Sequence, residues 1–201
     1  LATINMVVFS GAAGAKRIYN VIDQPIKIHN DKSLPNLKIS EGNIKFSNVS
    51  FKYENSNDKA ISAINFEIKG GSMAAFVGHS GAGKSTIINL LPRFYDPQNG
   101  EVHIDGQNTK LVNLSSLRKS ISLVSQDVIL FDSSVKENIL YANETASEKE
   151  FLESCKFAAA EEFIRDLPQK HDTIIGENGV RLSGGQKQRL SIARAILKKS
   201  P

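Results

Sequence analysis

A glycine-rich stretch in the first half of the chain has the residue types needed to hold a phosphate group. Residues 78–85 read GHSGAGKS and fit the pattern G-x-x-x-x-G-K-[ST]. Because glycines lack Cβ, such a loop turns tightly and brings backbone N–H groups against an anion. Lys84 would add a positive charge, and the Ser85 hydroxyl is a ligand suited to Mg²⁺. An apolar run before the loop and a helical pattern after it favour a phosphate cradle over a chance match in a turn.

A second anion site is indicated near residue 183. Residues 183–186 read SGGQ, which has the form of a capping box between Ser183 and Gln186. Gly184 and Gly185 then fall in the first helical turn, where each costs about 1 kcal/mol relative to alanine. Bare N–H groups at the positive end of a helix favour a negatively charged contact over a flexible hinge. The spacing leaves open whether both sites serve one nucleotide.

The elements that must position these sites begin β-rich and then alternate between strand and helix. Hydrophobic periodicity predicts strands at 43–53, 61–71, 73–78, 101–106 and 121–126. It predicts helices at 1–22, from Lys84 to near Pro92, at 146–168 and at 182–199. This order predicts an α/β fold with a partly parallel sheet and an antiparallel subdomain.

The net charge and the isolated cysteine, histidine and glutamate residues say little about the function. The net charge of +4 suits phosphate ligands, nucleic acid or an anionic membrane surface, and does not choose among them. The lone Cys155 favours a reducing compartment and is predicted to be a small apolar residue packed in a helix. His29, His103 and His171 show no metal-ligand spacing and are predicted to be surface or core residues. Glu161–Glu162 is predicted to be a solvated helix face.

The N-terminal segment is apolar but does not match a secretory signal. Residues 1–15 carry no charge, and Lys16 and Arg17 follow them, whereas a signal peptide has its positive charge first. Fifteen residues also fall short of the roughly 20 that span a bilayer. The residues alone therefore leave two readings open: the last turns of a membrane helix, or a helix that packs on a partner.

Several motifs together resemble one protein family. GHSGAGKST and LSGGQKQR resemble the Walker A loop and the signature motif of the nucleotide-binding domain of ATP-binding cassette (ABC) proteins. SLVSQDVILF resembles the Q-loop, with Gln126 as its glutamine, and FKYEN resembles the A-loop, with Tyr53 as its aromatic residue. RFYDPQNGEVHIDG, LSSLRKSISLVSQ and TIIGENG are similar to exporter-type domains. The resemblance covers essentially the whole chain.

The resemblance implies a fold and a domain order. The fold would be α/β, a P-loop NTPase with an ABC-type ATPase core, an antiparallel β subdomain and a helical subdomain, preceded by an N-terminal helix. Residues 1–22 would be the cytoplasmic end of the last transmembrane helix, 23–41 a linker, and 42–201 the nucleotide-binding domain, incomplete at its C-terminal end. The parent protein would be an exporter at the cytoplasmic face of a plasma or inner membrane, coupling ATP binding and hydrolysis to transport.

The resemblance also implies cofactors, ligands and partners. ATP and Mg²⁺ are the implied cofactors. Tyr53 would stack on the adenine, a role favoured over that of a core tyrosine in a strand. Ser85 and Gln126 would be ligands of Mg²⁺. The implied nucleotide-binding loop comprises Gly78, His79, Ser80, Gly81, Ala82, Gly83, Lys84, Ser85 and Thr86, although the pattern leaves position 79 free. Ser183, Gly184, Gly185 and Gln186 would contact the γ-phosphate of ATP held by a second copy. The implied partners are that second domain, in a head-to-tail dimer, and the membrane domain of the same polypeptide, with no nucleic acid.

The sequence departs from the family pattern after the signature helix. The family's Walker B strand with its Asp-Glu pair, the D-loop and the switch histidine do not occur in residues 1–201. The general-base glutamate is therefore expected after Pro201, and we expect this chain alone to hydrolyse ATP poorly. We also expect exposed apolar surface and poor solubility.

Two other classes of protein remain as alternatives at this stage. A soluble ABC ATPase of DNA repair or translation would lack an apolar helix leading into the domain, so residues 1–22 argue against it. A non-catalytic nucleotide-binding remnant of a split gene would have a stop codon soon after Pro201, whereas an Asp-Glu pair there would favour the exporter. The transported substrate stays open, because the membrane helices that select it are almost entirely outside this sequence.

Overall fold

The computed structural model describes residues 2–201, which divide into two compact units. The first unit ends at Asn30 and contains helix α1, Ala2–Ile22. This confirms the predicted helix, apart from Leu1, which lies outside the described residues. Several large apolar side chains of α1 are exposed, among them Phe9 and Val21. Within residues 2–201, no helix is both long and apolar enough to cross a membrane.

The second unit, Asp31–Pro201, begins with a four-stranded antiparallel sheet. Its strands are β1 (Ile44–Phe51), β2 (Ile61–Ile68), β3 (Asn99–Ile104) and β4 (Gln107–Asn108), in the order β2-β1-β3-β4. Ile44 lies opposite Ile68 of β2 and Ile104 of β3. Three of the five predicted strands are thus confirmed.

An irregularity in β1 keeps its apolar residues on one face. Phe46 and Val49 are three positions apart, so strict alternation would place them on opposite faces of the sheet. Both are nevertheless buried. Asn48 has a φ of 49° and lies at the register shift between them, and such a bulge returns the following side chain to the core.

Two predicted strands do not form in the described part of the chain. Residues 73–78 and 121–126 have no ladder partner there, and Met73 and Val77 are 99% and 94% exposed. An apolar run becomes a strand only when a neighbour takes up its backbone hydrogen bonds. The prediction of a partly parallel sheet was therefore wrong for residues 2–201, where the strands pair antiparallel, and the prediction of an antiparallel β subdomain was confirmed.

The helices of the second unit are short until the last one. They are α2 (Lys84–Leu90), α3 (Leu114–Lys119), α4 (Val135–Leu140), α5 (Glu148–Phe157), α6 (Glu161–Ile164) and α7 (Gly184–Leu197). Three 3₁₀ helices span Thr109–Leu111, Lys170–Asp172 and Glu177–Gly179. The apolar residues form two clusters: a sheet core under β1, β2, β3 and α2, and a helical core among α4, α5, α6 and α7.

The single helix predicted over 146–168 is two helices. α5 ends at Phe157, Ala159 adopts a φ of 50°, and the Ala160 N–H donates to the Cys155 carbonyl at 2.8 Å. This tight helix end reverses the chain before α6 starts at Glu161, although neither glycine nor proline marks the break. Cys155 is fully buried, as predicted, and burial raises the pKa of its thiol to about 12.

The stretch that precedes β1 is hydrogen-bonded to the sheet. The carboxylate of Asp105 accepts from the N–H groups of Ser40, Glu41, Gly42 and Asn43 at 2.8–3.1 Å. These bonds, led by those from Ser40 and Gly42, lower the pKa of Asp105 well below its usual range. The predicted boundary between linker and domain at 41/42 stays a prediction.

Candidate nucleotide-binding site

The glycine-rich loop is positioned by the helix that follows it. α2 buries Ile87 and Leu90 in the sheet core, beside residues of β1 and β2. Gly83, directly before it, has a left-handed backbone conformation and does not continue the helix, so α2 starts at Lys84. The loop residues before it are exposed, apart from Gly83, which is buried. The backbone N–H groups at the start of α2 therefore lie next to an exposed loop, the arrangement that suits an anion.

Gly83 is required by the fold itself. It has a φ of +85°, and a Cβ built on it would lie 2.5 Å from Ile61 Cγ2 and 2.6 Å from the carbonyl oxygen of Ala60. Gly81 also has a positive φ, of +83°, but a Cβ there would meet no atom within 4 Å. Both glycines thus have a backbone conformation that favours glycine, and Gly83 in addition has no room for a side chain.

The Lys84 side chain lies over the loop. Its Nζ donates to the carbonyl oxygens of Gly78 and His79, each at 2.8 Å. These bonds hold the ammonium where an anion in the loop would meet it, since Lys84 has three donors and a third stays free for another acceptor. His79 is exposed, and its Nδ1 lies 2.7 Å from the Ser80 carbonyl oxygen.

The structure brings Tyr53 to the same place. Its hydroxyl lies 3.2 Å from Thr86 Oγ1 in the first turn of α2, and Thr86 is buried. The ring packs edge-on against Phe51 and Tyr95, with centroids 4.8 and 5.1 Å away. Tyr53 is half-buried, so the ring joins the edge of the sheet core and is also held next to the loop.

Tyr95 is a neighbour of the site that sequence reasoning missed. It contacts both Phe51 and Tyr53 and is 40% exposed. In the sequence, Tyr95 stands out only because it follows α2 closely. That position does not indicate that its ring packs against residues more than 40 positions earlier.

The two predicted magnesium ligands differ in their surroundings. Ser85 is exposed in the first turn of α2, directly after Lys84. Gln126 is exposed in a segment without regular secondary structure between α3 and α4. Both offer a neutral oxygen, which suits a hard cation such as Mg²⁺.

The signature residues form the capping box that the sequence predicts. The Ser183 N–H donates to Gln186 Oε1 at 2.8 Å, and the Gln186 N–H donates to Ser183 Oγ at 3.3 Å. Ser183, Gly184 and Gly185 are exposed, and a Cβ on either glycine would meet no atom within 4 Å. Neither glycine has the positive φ that would require it.

The signature helix is anchored through residues that sequence reasoning missed. Arg194 of α7 donates from Nε to the Asn138 carbonyl oxygen and from Nη2 to Asn138 Oδ1, both at 2.6 Å. Its Nη1 donates to the Ile129 carbonyl oxygen at 2.7 Å, and burial lowers the pKa of the guanidinium. These bonds tie α7 to α4, through Asn138, and to the segment just after Gln126, through Ile129. The sequence around Asn138, a polar residue on the short helix α4, does not indicate that it binds Arg194.

The two predicted sites remain separate within this chain. No hydrogen bond joins residues 78–86 to residues 183–186 in the described range 2–201. The first is held by the sheet core, and the second by the helical core, where α7 buries Leu190, Ala193 and Leu197.

Comparison with known proteins gives consistent matches. The family profile described as ABC transporter matches residues 61–201. ABC transporter B family member 2 of Dictyostelium discoideum is 47% identical over 202 residues, covering 98% of this chain and 14% of that protein. The ATP-dependent lipid A-core flippase of Syntrophus aciditrophicus (strain SB) is 44% identical over 202 residues, covering 100% of this chain and 33% of that protein.

A solved structure matches the fold over nearly the same span. It is the structure of a bacterial Atm1-family ABC exporter with ATP bound, with a TM-score of 0.88 and 40% sequence identity. The match covers 96% of this chain and 34% of that chain. The chain thus spans about a third or less of the length of the proteins it matches.

Proposed function

The chain belongs to the ABC transporter family, and on that premise we propose that it is the ATP-binding part of an exporter. The observation that carries the proposal is the placement of Lys84. Its ammonium is held on the carbonyls of an exposed glycine-rich loop, at the start of a helix buried in the sheet core. ATP would bind with its phosphates in residues 78–86 and its adenine on Tyr53, whose hydroxyl lies next to Thr86.

Magnesium is the cation that suits this site. The hydroxyl of Ser85 and the amide oxygen of Gln126 are hard, neutral oxygen ligands, and Mg²⁺ commonly combines a few such ligands with phosphate oxygens and water. When bound, the ion would neutralise charge on the β- and γ-phosphates. Ser85 and Lys84 would then place the phosphate chain between a hydroxyl and an ammonium.

The signature residues would serve a nucleotide held by a second copy. Ser183, Gly184, Gly185 and Gln186 would contact its γ-phosphate in a head-to-tail dimer with two ATP molecules. Open space around both glycines supports this, since nothing in residues 2–201 requires a residue without a side chain there. The capping box uses the N–H of Gln186 and leaves the N–H groups of the two glycines for the anion.

Export would be the activity of the whole protein. The named relatives are a transporter, a flippase and an exporter, which favours export over a soluble ABC ATPase. Residues 1–22 would be the cytoplasmic end of the last membrane helix, 23–41 the linker and 42–201 the ATPase domain. The domain would work at the cytoplasmic face of a plasma or inner membrane, with the membrane part of the same polypeptide as partner and no nucleic acid.

Nucleotide titration of the purified chain tests the proposal. A fluorescent ATP analogue, measured with Mg²⁺ by anisotropy, should bind and be displaced by ATP. Lys84→Ala should weaken binding by about 10- to 100-fold, because a charge-assisted bond contributes about 1.5–3 kcal/mol. Lys149→Ala is the matched control, since Lys149 is an exposed lysine of α5 outside the loop. Equal losses in both variants, or no displacement by ATP, would contradict the proposal.

A further inference from the structure

Three side chains with different metal-binding atoms converge in the helical core. Cys155 comes from α5, Glu161 is the first residue of α6, and His171 lies in the 3₁₀ helix Lys170–Asp172. One ligand atom of each lies within 4.8 Å of the other two. Glu161 Oε2 and His171 Nε2 are 3.2 Å apart. Of the pair predicted to be a solvated helix face, Glu162 is 79% exposed, whereas the Glu161 side chain is only 24% exposed and turns towards His171.

The convergence depends on the helix break described above. The reversal at Ala159 and Ala160 brings the start of α6 back next to Cys155, whose carbonyl accepts from Ala160. The His171 ring is held edge-on against Phe151 of α5, with centroids 5.2 Å apart. An uninterrupted helix would have placed residues 155 and 161 on different faces, because six residues are not a multiple of the helical repeat.

The three donor types together are suited to zinc. Thiolate, imidazole and carboxylate are the protein ligands of Zn²⁺, with bonds of about 2.0–2.3 Å in tetrahedral geometry, and magnesium does not favour a sulfur ligand. Two ligands on one tetrahedral Zn²⁺ lie about 3.3–3.8 Å apart. The widest separation here, up to 4.8 Å, would close by about 1 Å.

We propose that Cys155, Glu161 and His171 form a zinc site with one open position for water. Sγ of Cys155 is the buried ligand, and the partly exposed carboxylate and imidazole give the ion a route from solvent. On binding, the S–H bond of Cys155 breaks, the S–Zn bond forms and the proton leaves to the buffer, with no change of oxidation state. The ion replaces the contact between His171 and Glu161 with bonds from both to the metal.

The site would join three elements of the helical core. α5, α6 and the Lys170–Asp172 helix precede the signature helix, and α5 and α7 share that core through Phe151, Cys155 and Leu190. The proposed ligands are outside the nucleotide-binding residues, so the inference does not rest on the proposed function. Bound zinc should stabilise the folded state, since the unfolded chain does not present the three ligands together.

Cobalt titration of the nucleotide-free full chain tests the site. Co²⁺ is a spectroscopic substitute for Zn²⁺, and a thiolate ligand gives a thiolate-to-cobalt charge-transfer band in the near ultraviolet. We expect this band to saturate at one equivalent and to disappear when Zn²⁺ displaces Co²⁺. Cys155→Ser should abolish the band, and Glu161→Gln and His171→Gln should each weaken binding by at least about tenfold.

Matched variants separate this site from adventitious binding. Glu162→Gln changes the adjacent exposed carboxylate, and His29→Gln changes an exposed histidine of the first unit; neither should alter the titration. Circular dichroism of each metal-free variant checks folding. If Cys155→Ser fails to fold, the metal affinities of Glu161→Gln and His171→Gln, at partly exposed positions, decide whether the site exists. Binding without the charge-transfer band would overturn the proposal, as would unchanged affinity in Glu161→Gln and His171→Gln.

Discussion

The two glycine-rich regions of this chain look alike in sequence but are constrained in different ways. In residues 78–83, Gly81 and Gly83 have positive φ, and Gly83 has no room for a Cβ. In residues 183–186, Gly184 and Gly185 have ordinary helical conformation and open space around them. The first region needs glycine for its own fold. The second needs glycine only if something outside the chain comes close.

The two regions also rest on different cores. α2 packs on the sheet through Ile87 and Leu90, whereas α7 packs on the other helices through Leu190, Ala193 and Leu197. Each core therefore positions one half of the proposed site. In a head-to-tail pair, a nucleotide would contact residues 78–86 of one copy, positioned by its sheet core, and residues 183–186 of the other, positioned by its helical core.

The largest effect should come from Gly83→Ala. The left-handed conformation costs an ordinary residue about 1–2 kcal/mol, and overpacking against Ile61 and Ala60 adds about 1–3 kcal/mol. We expect the free energy of unfolding in urea to fall by about 3 kcal/mol. Gly81→Ala is the control, since it has the same φ cost without the contacts. Equal losses in the two variants would show that packing at Gly83 is unimportant.

The cap of the signature helix should have a smaller effect. Ser183→Ala removes the side-chain bond to Gln186 and should destabilise the chain by about 1 kcal/mol. Ser147→Ala removes a matching capping box from α5 and should cost about the same. Only Ser183→Ala should also weaken ATP-dependent dimerisation, measured by light scattering. A dimerisation defect in both variants would assign the effect to helix stability alone.

The sequence predicted the cap of α7 and strand β1 correctly because each has a local cause. The Ser183–Gln186 capping box and the strand pattern of β1 depend on residues a few positions apart. The errors lie where distant partners decide. Residues 73–78 are apolar enough for a strand, but pairing depends on a neighbour that the run itself does not specify.

The metal-ligand cluster escaped prediction for a related reason. Cys155, Glu161 and His171 have no recognised ligand spacing, and they meet only because the chain reverses at Ala159. Alanine is the strongest helix former and gives no breaking signal. Ala158, Ala160 and Phe163, on both sides of the reversal, are buried in the helical core, and such tertiary packing is not visible in the local sequence.

A third substitution, Gly184→Ala, should slightly raise the stability of the chain while impairing its function. Gly184→Ala meets no atom within 4 Å, and alanine is favoured over glycine in a helix by up to about 1 kcal/mol. We expect the urea midpoint to rise slightly, binding of the ATP analogue to stay unchanged and ATP-dependent dimerisation to be lost. If the variant is instead destabilised, the chain itself requires this glycine and the contrast with Gly83 disappears.

The smallest expected effect concerns the acid response of the helical core. The ion pair with Lys199, together with bonds from Ser147, lowers the pKa of Glu150 from 4.5 to about 2. Since the folded pKa is the lower one, this stabilisation is complete above pH 4.5 and is lost as the pH falls towards 2. Glu150→Gln should therefore flatten the dependence of stability on pH in that range, measured by urea unfolding at several pH values. Glu153→Gln, at an exposed residue of the same helix, is the control. A pH dependence unchanged by Glu150→Gln would place the acid-sensitive contact elsewhere, with Asp105 at the sheet as the next carboxylate to replace.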